Sequence, residues 1–342
     1  MNGRSTRIIM ANNLKDIAER LNISISTVSR ALNNKGTISD AMRQKILDTA
    51  REMGYQPNET ARSLKTKRTS MIGLIAPDIT DVFYSKLLKA TAEEALKKGY
   101  NVVYCDSDGD IACEENYYRL LLSKNVCGII VATAGENNIY DDVKENERLV
   151  FVDNRPSCNI REGSGVFCVS IDHEKAGCEL TDYLVGRGYR KIAAITGNLE
   201  ETSALYRLEG YRRCIKKHNL SEWVVEGDYH YEGGYVGMMN IIKSGKLPDA
   251  VVAHNYLMAY GAIAAMRENS LSVPDDIAIA CFDAVDETNV FAPKLTCIVS
   301  PIKQLAKSAV DIVIEQFENK GSLSGREKDV ILDYRFLEGQ ST

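Results

Sequence analysis

Residues 24–30 read SISTVSR, and five of these seven side chains can hydrogen-bond. Small hydroxyls and one forked cation on a short helical face suit contact with a nucleic acid rather than catalysis. Arg30 can fork onto guanine O6 and N7 or clamp a phosphate, whereas Ile25 offers only apolar contact, such as to a thymine methyl. Elsewhere the inventory argues against an enzyme. The four histidines (173, 218, 230, 254) are not read as metal ligands with another His or Cys, and neither a phosphate-cradling glycine loop nor a GxSxG elbow occurs. We therefore expect no catalytic residue, no metal and no cofactor.

The hydroxyl-rich face must sit on a helix that is itself held. Leu14, Ile17, Ala18 and Leu21 recur at helical spacing, which predicts a first helix with one apolar face. Asn22-Ile23-Ser24 breaks it, and Ser24 is placed to cap a second helix. In that helix Val28, Ala31 and Leu32 face inward, leaving Ile25, Ser26, Ser29 and Arg30 outward. Ser39 can cap a third helix that buries Ile46, Ala50 and Met53 and stops at Gly54. Two helices joined by a tight break, the second with a polar face, form a helix-turn-helix. The segment YQPNETARSLKTKRT follows at 55–69. After Pro57, Asn58 can cap a helix of one to two turns, too short to be stable alone in water. It carries Arg62, Lys65, Lys67 and Arg68 around Leu64, as a solvated linker or as a hinge helix that folds on DNA and wedges Leu64 into the minor groove.

These motifs resemble those of the lactose-repressor (LacI/GalR) family of transcription regulators. The matching residues are the helix-turn-helix, the hinge residues Tyr55, Pro57, Asn58, Ala61, Arg62, Ser63 and Leu64, and IGLIAPDI at 72–79. The resemblance runs to about residue 336. It implies base reading by Ile25, Ser26 and Arg30, with Ser24, Thr27, Ser29 and Asn33 completing the DNA-contacting set. In the hinge it implies that Ala61 packs close, Leu64 wedges, and Asn58, Arg62 and Lys65 contribute, Lys65 across the minor groove. The partners implied are a pseudo-palindromic double-stranded operator, a small-molecule effector and a second copy of the chain. No leucine-rich tail follows DYRFLEGQST, so a homodimer is expected rather than a tetramer.

Charge and cysteine usage agree with that reading. Residues 1–68 hold 13 Lys and Arg against 6 Asp and Glu, a net of +7; the remainder holds 29 against 41, a net of −12. A basic head on an acidic body directs a polyanion to the head. Nine scattered cysteines without a CxxC pair fit reduced thiols in a cytoplasm. A short polar start and the lack of a long apolar run argue against export and a membrane. Residues 1–9 fit no assigned element and read as a disordered extension, or as the product of an upstream start codon, before Met10-Ala11-Asn12.

From residue 70 short apolar strands alternate with amphipathic helices. Strand-like runs are 71–76, 101–105, 128–132, 149–152, 191–196, 250–253 and 277–282; helical runs include 84–98, 173–187, 203–218 and 257–268. The expected fold class is α/β, with parallel sheets covered on both faces and ligands at the strands' carboxyl ends. The expected domains are a head at 1–57, a hinge and linker at 58–69, and an effector-binding and dimerisation domain at 70–342. The resemblance implies that this domain is periplasmic-binding-protein-like, with two doubly wound subdomains and three crossings between them. The first subdomain would hold about 70–169 and about 300–342, the second about 170–299.

Positions coinciding with family ligand contacts are Asp78, Phe83, Tyr84, Asp153, Ser203, Arg207, Tyr229, Asn255 and Asp283. Carboxylates, an amide and a forked Arg can address several hydroxyls, and flat aromatics can stack on a sugar or base ring. The expected function is a repressor whose operator affinity is set by a small molecule, foremost a sugar. A nucleobase co-repressor and a phosphoprotein partner of a carbon-catabolite regulator are the alternatives. A transporter's solute-binding protein would need an export signal and no head. Tyr256 and Ala284 stand where the family often has Asp, and Arg155 adds a positive group near Asp153 that would suit an acidic ligand.

Overall fold

The computed structural model describes residues 13–32, 36, 38–55, 69–135, 138–140, 143, 148–154, 156, 166–283, 293–319 and 327–342. The chain divides into two compact units between residues 68 and 69.

In the first unit, α1 (Leu14–Leu21), α2 (Ile25–Leu32) and α3 (Asp40–Glu52) surround one small core. Ile17, Val28 and Ile46, one from each helix, are fully buried, each contributing roughly 1.5–3 kcal/mol by burial. The helix starts are capped. Asn13 Oδ1 accepts from the Lys15 and Asp16 amides, and Asp16 Oδ2 accepts from the Asn13 amide at 2.7 Å. This reciprocal box satisfies donors the helix leaves open. Asn22 ends α1 in the left-handed region (φ 51°), which Asn tolerates better than most residues.

The second unit contains two six-stranded sheets. The first uses β1 (Met71–Ala76), β2 (Asn101–Asp106), β3 (Ile129–Val131), β4 (Leu149–Val152), β5 (Val166–Ile171) and β11 (Asp329–Leu332), in the order β11-β5-β4-β3-β1-β2. All of its pairings are parallel. The second uses β6 (Ile192–Ile195), β7 (Val224–Val225), β8 (Ala250–Ala253), β9 (Ala278–Phe282), β10 (Thr296–Val299) and β12 (Arg335–Leu337), in the order β12-β10-β9-β8-β6-β7. Only its β10–β12 pair is antiparallel.

Helices cover both faces of each sheet, so the central strands are apolar throughout. In the first, α4 (Val82–Lys97) and α10 (Ile302–Glu318) close one face and α5 (Ile111–Ser123) the other. In the second, α6 (His173–Gly186) and α7 (Thr202–Lys217) lie opposite α8 (Tyr231–Lys243) and α9 (Tyr256–Glu268). The strands β5, β7, β10, β11 and β12 complete the sheets beyond the runs expected from apolar patterning.

One boundary departs from expectation. The chain passes between the sheets after β5, after β10 and again between β11 and β12. Residues 335–342 therefore pack on the second sheet, not the first. The Ser341 hydroxyl accepts from the Thr296 amide at 2.9 Å and donates to the Ile279 carbonyl at 2.6 Å. These bonds satisfy backbone groups of the second sheet that burial would otherwise leave unpaired.

The α6–α7 contact is close because both helices present glycine. A Cβ on Gly210 would lie 2.1 Å from the Glu174 carbonyl oxygen, and one on Gly177 2.4 Å from that of Arg207. Gly210→Ala should therefore push the helices apart and destabilise the body by about 1–3 kcal/mol. Urea unfolding should show a lower midpoint with an unchanged slope; an unaltered midpoint would mean that the helices have room to spare.

Candidate functional site

Two surfaces bear on function, one in each unit. In the head, Ser24, Ile25, Ser26 and Arg30 are exposed, while Thr27 and Ser29 are half-buried. The Ser24 hydroxyl accepts from the Thr27 amide at 3.1 Å and lies 2.7 Å from Ser26 Oγ and 2.8 Å from Thr27 Oγ1. Ser24 thus fixes the start of α2. Ile25 is 48% exposed amid these hydroxyls, an apolar side chain held outside the core. Of the other DNA-contact expectations, Asn33, Asn58, Ala61, Arg62, Leu64 and Lys65 lie outside the described residues, as do Arg155 and Ala284.

In the body, a cavity of about 540 Å³ opens between the subdomains. The nine positions Asp78, Phe83, Tyr84, Asp153, Ser203, Arg207, Tyr229, Asn255 and Asp283 all line it. The sheets explain this convergence. Asp78, Asp153, Asn255 and Asp283 lie just past the carboxyl ends of β1, β4, β8 and β9, while Ser203 and Arg207 occupy the first turns of α7.

Arg207 is the electrostatic centre. It is only 3% exposed, yet every arm of its guanidinium is engaged. Nε donates to His173 Nδ1 at 3.3 Å, one terminal nitrogen to the His254 carbonyl, and the other to Asp283 Oδ2 at 3.1 Å. Its plane lies over Phe282, 4.3 Å from the ring centroid. Asp283 is fixed in turn, its Oδ1 accepting from the Ser300 amide at 2.9 Å. Burial pushes the Asp153 carboxyl upward, but His173 and Arg207 more than offset this and hold it below its ordinary value. Asp153 Oδ1 stands 3.1 Å from His173 Nε2, although neither atom has a hydrogen-bond partner in good alignment.

Four non-glycine lining residues occupy the left-handed backbone region: Asp108 (φ 50°), Asp153 (φ 67°), Tyr229 (φ 67°) and Asp283 (φ 57°). Such backbone costs roughly 1–3 kcal/mol per residue and concentrates at sites where side chains must be aimed. Tyr229 shows what holds one in place. Asn255 Nδ2 donates to its carbonyl at 2.6 Å, and its hydroxyl lies 3.0 Å from Ser203 Oγ. Its ring rests on Gly197, where a Cβ would fall 2.1 Å from Cζ. Asn255 Oδ1 meanwhile caps α9 through the Met258 amide at 2.9 Å. Both ends of the Asn255 amide thus serve the scaffold.

Other lining residues were not singled out from sequence: Asp81, Asn154, Glu201 and Tyr256 among them. Asn154 joins the subdomains, donating through Nδ2 to Glu201 Oε2 at 2.6 Å and accepting through Oδ1 from the Ser203 amide at 2.8 Å. Tyr256, noted from sequence only as a departure, accepts from the Val82 amide across the same gap at 3.3 Å. The signal was slight. Asn154 merely follows Asp153, and Glu201 precedes the helix start at Thr202. Burial raises the Glu201 carboxyl to about 8, helped by the nearby Asp153 charge, and burial raises Asp81 to about 6.

Comparison with known proteins follows the same division. Residues 13–58 match the family described as bacterial regulatory proteins, lacI family, and residues 69–333 match periplasmic binding proteins and sugar binding domain of LacI family. The chain is 34% identical to the HTH-type transcriptional regulator DegA of Bacillus subtilis (strain 168), covering 86% of this chain and 88% of that protein. It is 32% identical to the ribose operon repressor of Halalkalibacterium halodurans, covering 90% and 91%. In fold it is similar to the Lac repressor bound to ONPG in its repressed state, with a TM-score of 0.85 and 23% identity over 97% of this chain and 100% of that one. No helix among the described residues is long and apolar enough to cross a membrane.

The Glu201 carboxyl keeps its proton to about pH 8 in the fold but ionises near 4.5, its ordinary value, once unfolded. The fold should therefore lose stability as pH rises from about 4.5 to about 8. Asp81 acts in the same direction over a lower range. Glu201→Gln keeps an acceptor for Asn154 and should flatten the upper part of this decline. Thermal midpoints of the two proteins between pH 5 and pH 9 measure it; parallel profiles would show that Glu201 is not the titrating group.

Proposed function

The chain belongs to the LacI family of bacterial regulatory proteins, as a DNA-binding transcriptional repressor with a ligand-binding body, and we propose that a sugar or sugar derivative in the cleft controls its hold on operator DNA. One observation carries this reading. Asp153 is 92% buried in the cavity wall, and its Oδ1 is met only by His173 Nε2, 3.1 Å away and poorly aligned. A carboxylate can accept several hydrogen bonds, so this buried group keeps capacity that a ligand hydroxyl would use. Phe83 and Tyr84 meet edge to face, 5.2 Å apart and at 86°. That leaves no parallel slot for a flat base between them, and suits the single apolar face of a sugar ring. The likeness to a ribose operon repressor supports the same ligand class.

In this proposal α2 enters the major groove. Ile25, Ser26 and Arg30 read bases, and Ser24, Thr27, Ser29 and Asn33 hold the backbone near phosphates. A hinge helix over 58–64 folds on the operator, with Leu64 in the minor groove. Two chains act as a cytoplasmic homodimer on a pseudo-palindromic site. Ligand between the subdomains changes their angle and parts the two hinges. The operator is released because the ligand binds the released state more tightly.

Leu64→Ala should lower operator affinity at least about tenfold while leaving nonspecific DNA binding unchanged. Fluorescence titration with operator and scrambled duplexes measures both; equal operator affinity would remove the wedge.

Thermal unfolding of the chain against sugars, sugar phosphates and nucleobases tests the ligand class. A true ligand at about 100 times its dissociation constant should stabilise by roughly 2.7 kcal/mol. Stabilisation by a nucleobase alone would overturn the sugar reading, and no response at all would favour a protein co-regulator. Arg207→Ala should still bind operator but ignore the ligand. It should also lose about 3–5 kcal/mol of stability, because Asp283 is left buried without its cation. A variant that stays responsive at ordinary ligand levels would exclude the cleft.

A further inference from the structure

The helix pair α6–α7 carries a second cluster of reactive side chains, farther along the helices from the ends that hold the cleft residues. Cys178 and Asp182 are four residues apart on α6, and Cys214 and His218 are four apart on α7 and its C-cap. Side chains at that spacing stack on one helix face. The glycine contact sets the two faces against each other, since a Cβ on Gly210 would lie 2.7 Å from the Cys178 amide nitrogen. Sulfur atoms of Cys178 and Cys214 and a carboxylate oxygen of Asp182 all lie within 4.8 Å of one another. His218 Nε2 lies 2.5 Å from Asp182 Oδ1, and Cys214 Sγ lies 3.3 Å from the same oxygen.

We propose that Cys178, Asp182, Cys214 and His218 form a binding site for a divalent transition-metal ion of the zinc class. Cys178, Asp182 and Cys214 are the three ligands already gathered, and His218, now paired with Asp182, would turn onto the ion as the fourth to complete a tetrahedral set of the zinc kind. The mixture of thiol and imidazole selects against magnesium and calcium, which prefer oxygen. Binding requires each thiol to give up its proton to solvent as its sulfur takes the metal, so a dipositive ion enters and two protons leave. Lys217, whose Nζ now lies 2.6 Å from Asp182 Oδ2, must swing away. Its side chain is 57% exposed and long enough to do so. Access is open, because Asp182 and His218 are about one-third exposed while Cys214 forms the buried floor.

This site was hidden in the sequence. The expectation of no metal rested on the lack of a CxxC pair and of a recognised His partner, and it overlooked the four-residue step from Cys214 to His218. The two halves, CELTD and CIKKH, are joined only by the packing of α6 on α7. An ion here would staple the two helices that carry His173, Ser203 and Arg207, so it would brace the frame of the cleft without touching it.

The test uses the full chain, reduced and freed of metal by a chelator, titrated with cobalt(II) and then zinc. One cobalt per chain should bind with a thiolate-to-cobalt charge-transfer band, zinc should displace it, and zinc should raise the thermal midpoint. Cys178→Ser should lose the band. His218→Gln should weaken cobalt binding by at least about tenfold, the smaller loss seen even for outer partners of such sites. Asp182→Asn, which keeps the side chain's shape, should also weaken binding with circular dichroism unchanged. A band of undiminished strength in Cys178→Ser would assign binding to other thiols and overturn the proposal. So would the lack of any band in the reduced wild type, or formation of a Cys178–Cys214 disulfide in place of metal uptake.

Discussion

A positive charge almost wholly out of water governs the body of this protein. An isolated guanidinium would not be tolerated at 3% exposure, so Arg207 requires a complete set of partners. Its partners come from separate stretches of chain: His173 from the start of α6, the His254 carbonyl past β8, and Asp283 with Phe282 at the end of β9. Satisfying one side chain thus fixes the order and depth of a helix and two strands. Asp153 feels the same charge from the other subdomain. A cation held this rigidly offers a ligand a fixed field rather than a flexible arm.

The two subdomains meet through polar contacts rather than a shared core. Asn154 bridges to Glu201 and to the Ser203 amide, and the Tyr256 hydroxyl takes the Val82 amide. The hydrophobic clusters on each sheet are otherwise largely separate, with Val82 reaching from the first subdomain into the second's core. Such an interface can open without tearing a core, as sliding or hinging subdomains require. Glu201 adds a constraint, since burial keeps its carboxyl protonated well above the ordinary range. Ionised, it would place a second negative charge beside Asp153. The cleft wall is thus a set of groups whose protonation and pairing depend on one another.

Much of this architecture can be read from the chain. Alternating apolar strands and amphipathic helices are local signals, and the strands Met71–Ala76, Leu149–Val152 and Ala250–Ala253 appear within those bounds. The head is legible because Ser24 and Ser39 are local caps and Gly54 a local stop. What escaped depends on distant pairing. β12 joins β10 across more than thirty residues, so apolar patterning could not assign its sheet. Asn154 and Glu201 are unremarkable polar residues until the subdomains meet. Likewise, Asn255 resembles a ligand contact in sequence, while the fold also uses its amide to cap α9 and hold Tyr229.

The path of the last strand also bears on how the molecule comes into being. β12 and Ser341 finish the second sheet, and the Ser341 hydroxyl reaches back 62 positions to Ile279. Among the described residues, the head gathers its core from residues 14–55. Since domains generally fold as units in the order of synthesis, the head can fold while most of the body is still unmade. The second subdomain must wait until residues 335–342 leave the ribosome. For that interval on every translating ribosome, a DNA-reading head exists ahead of the finished apparatus that governs it.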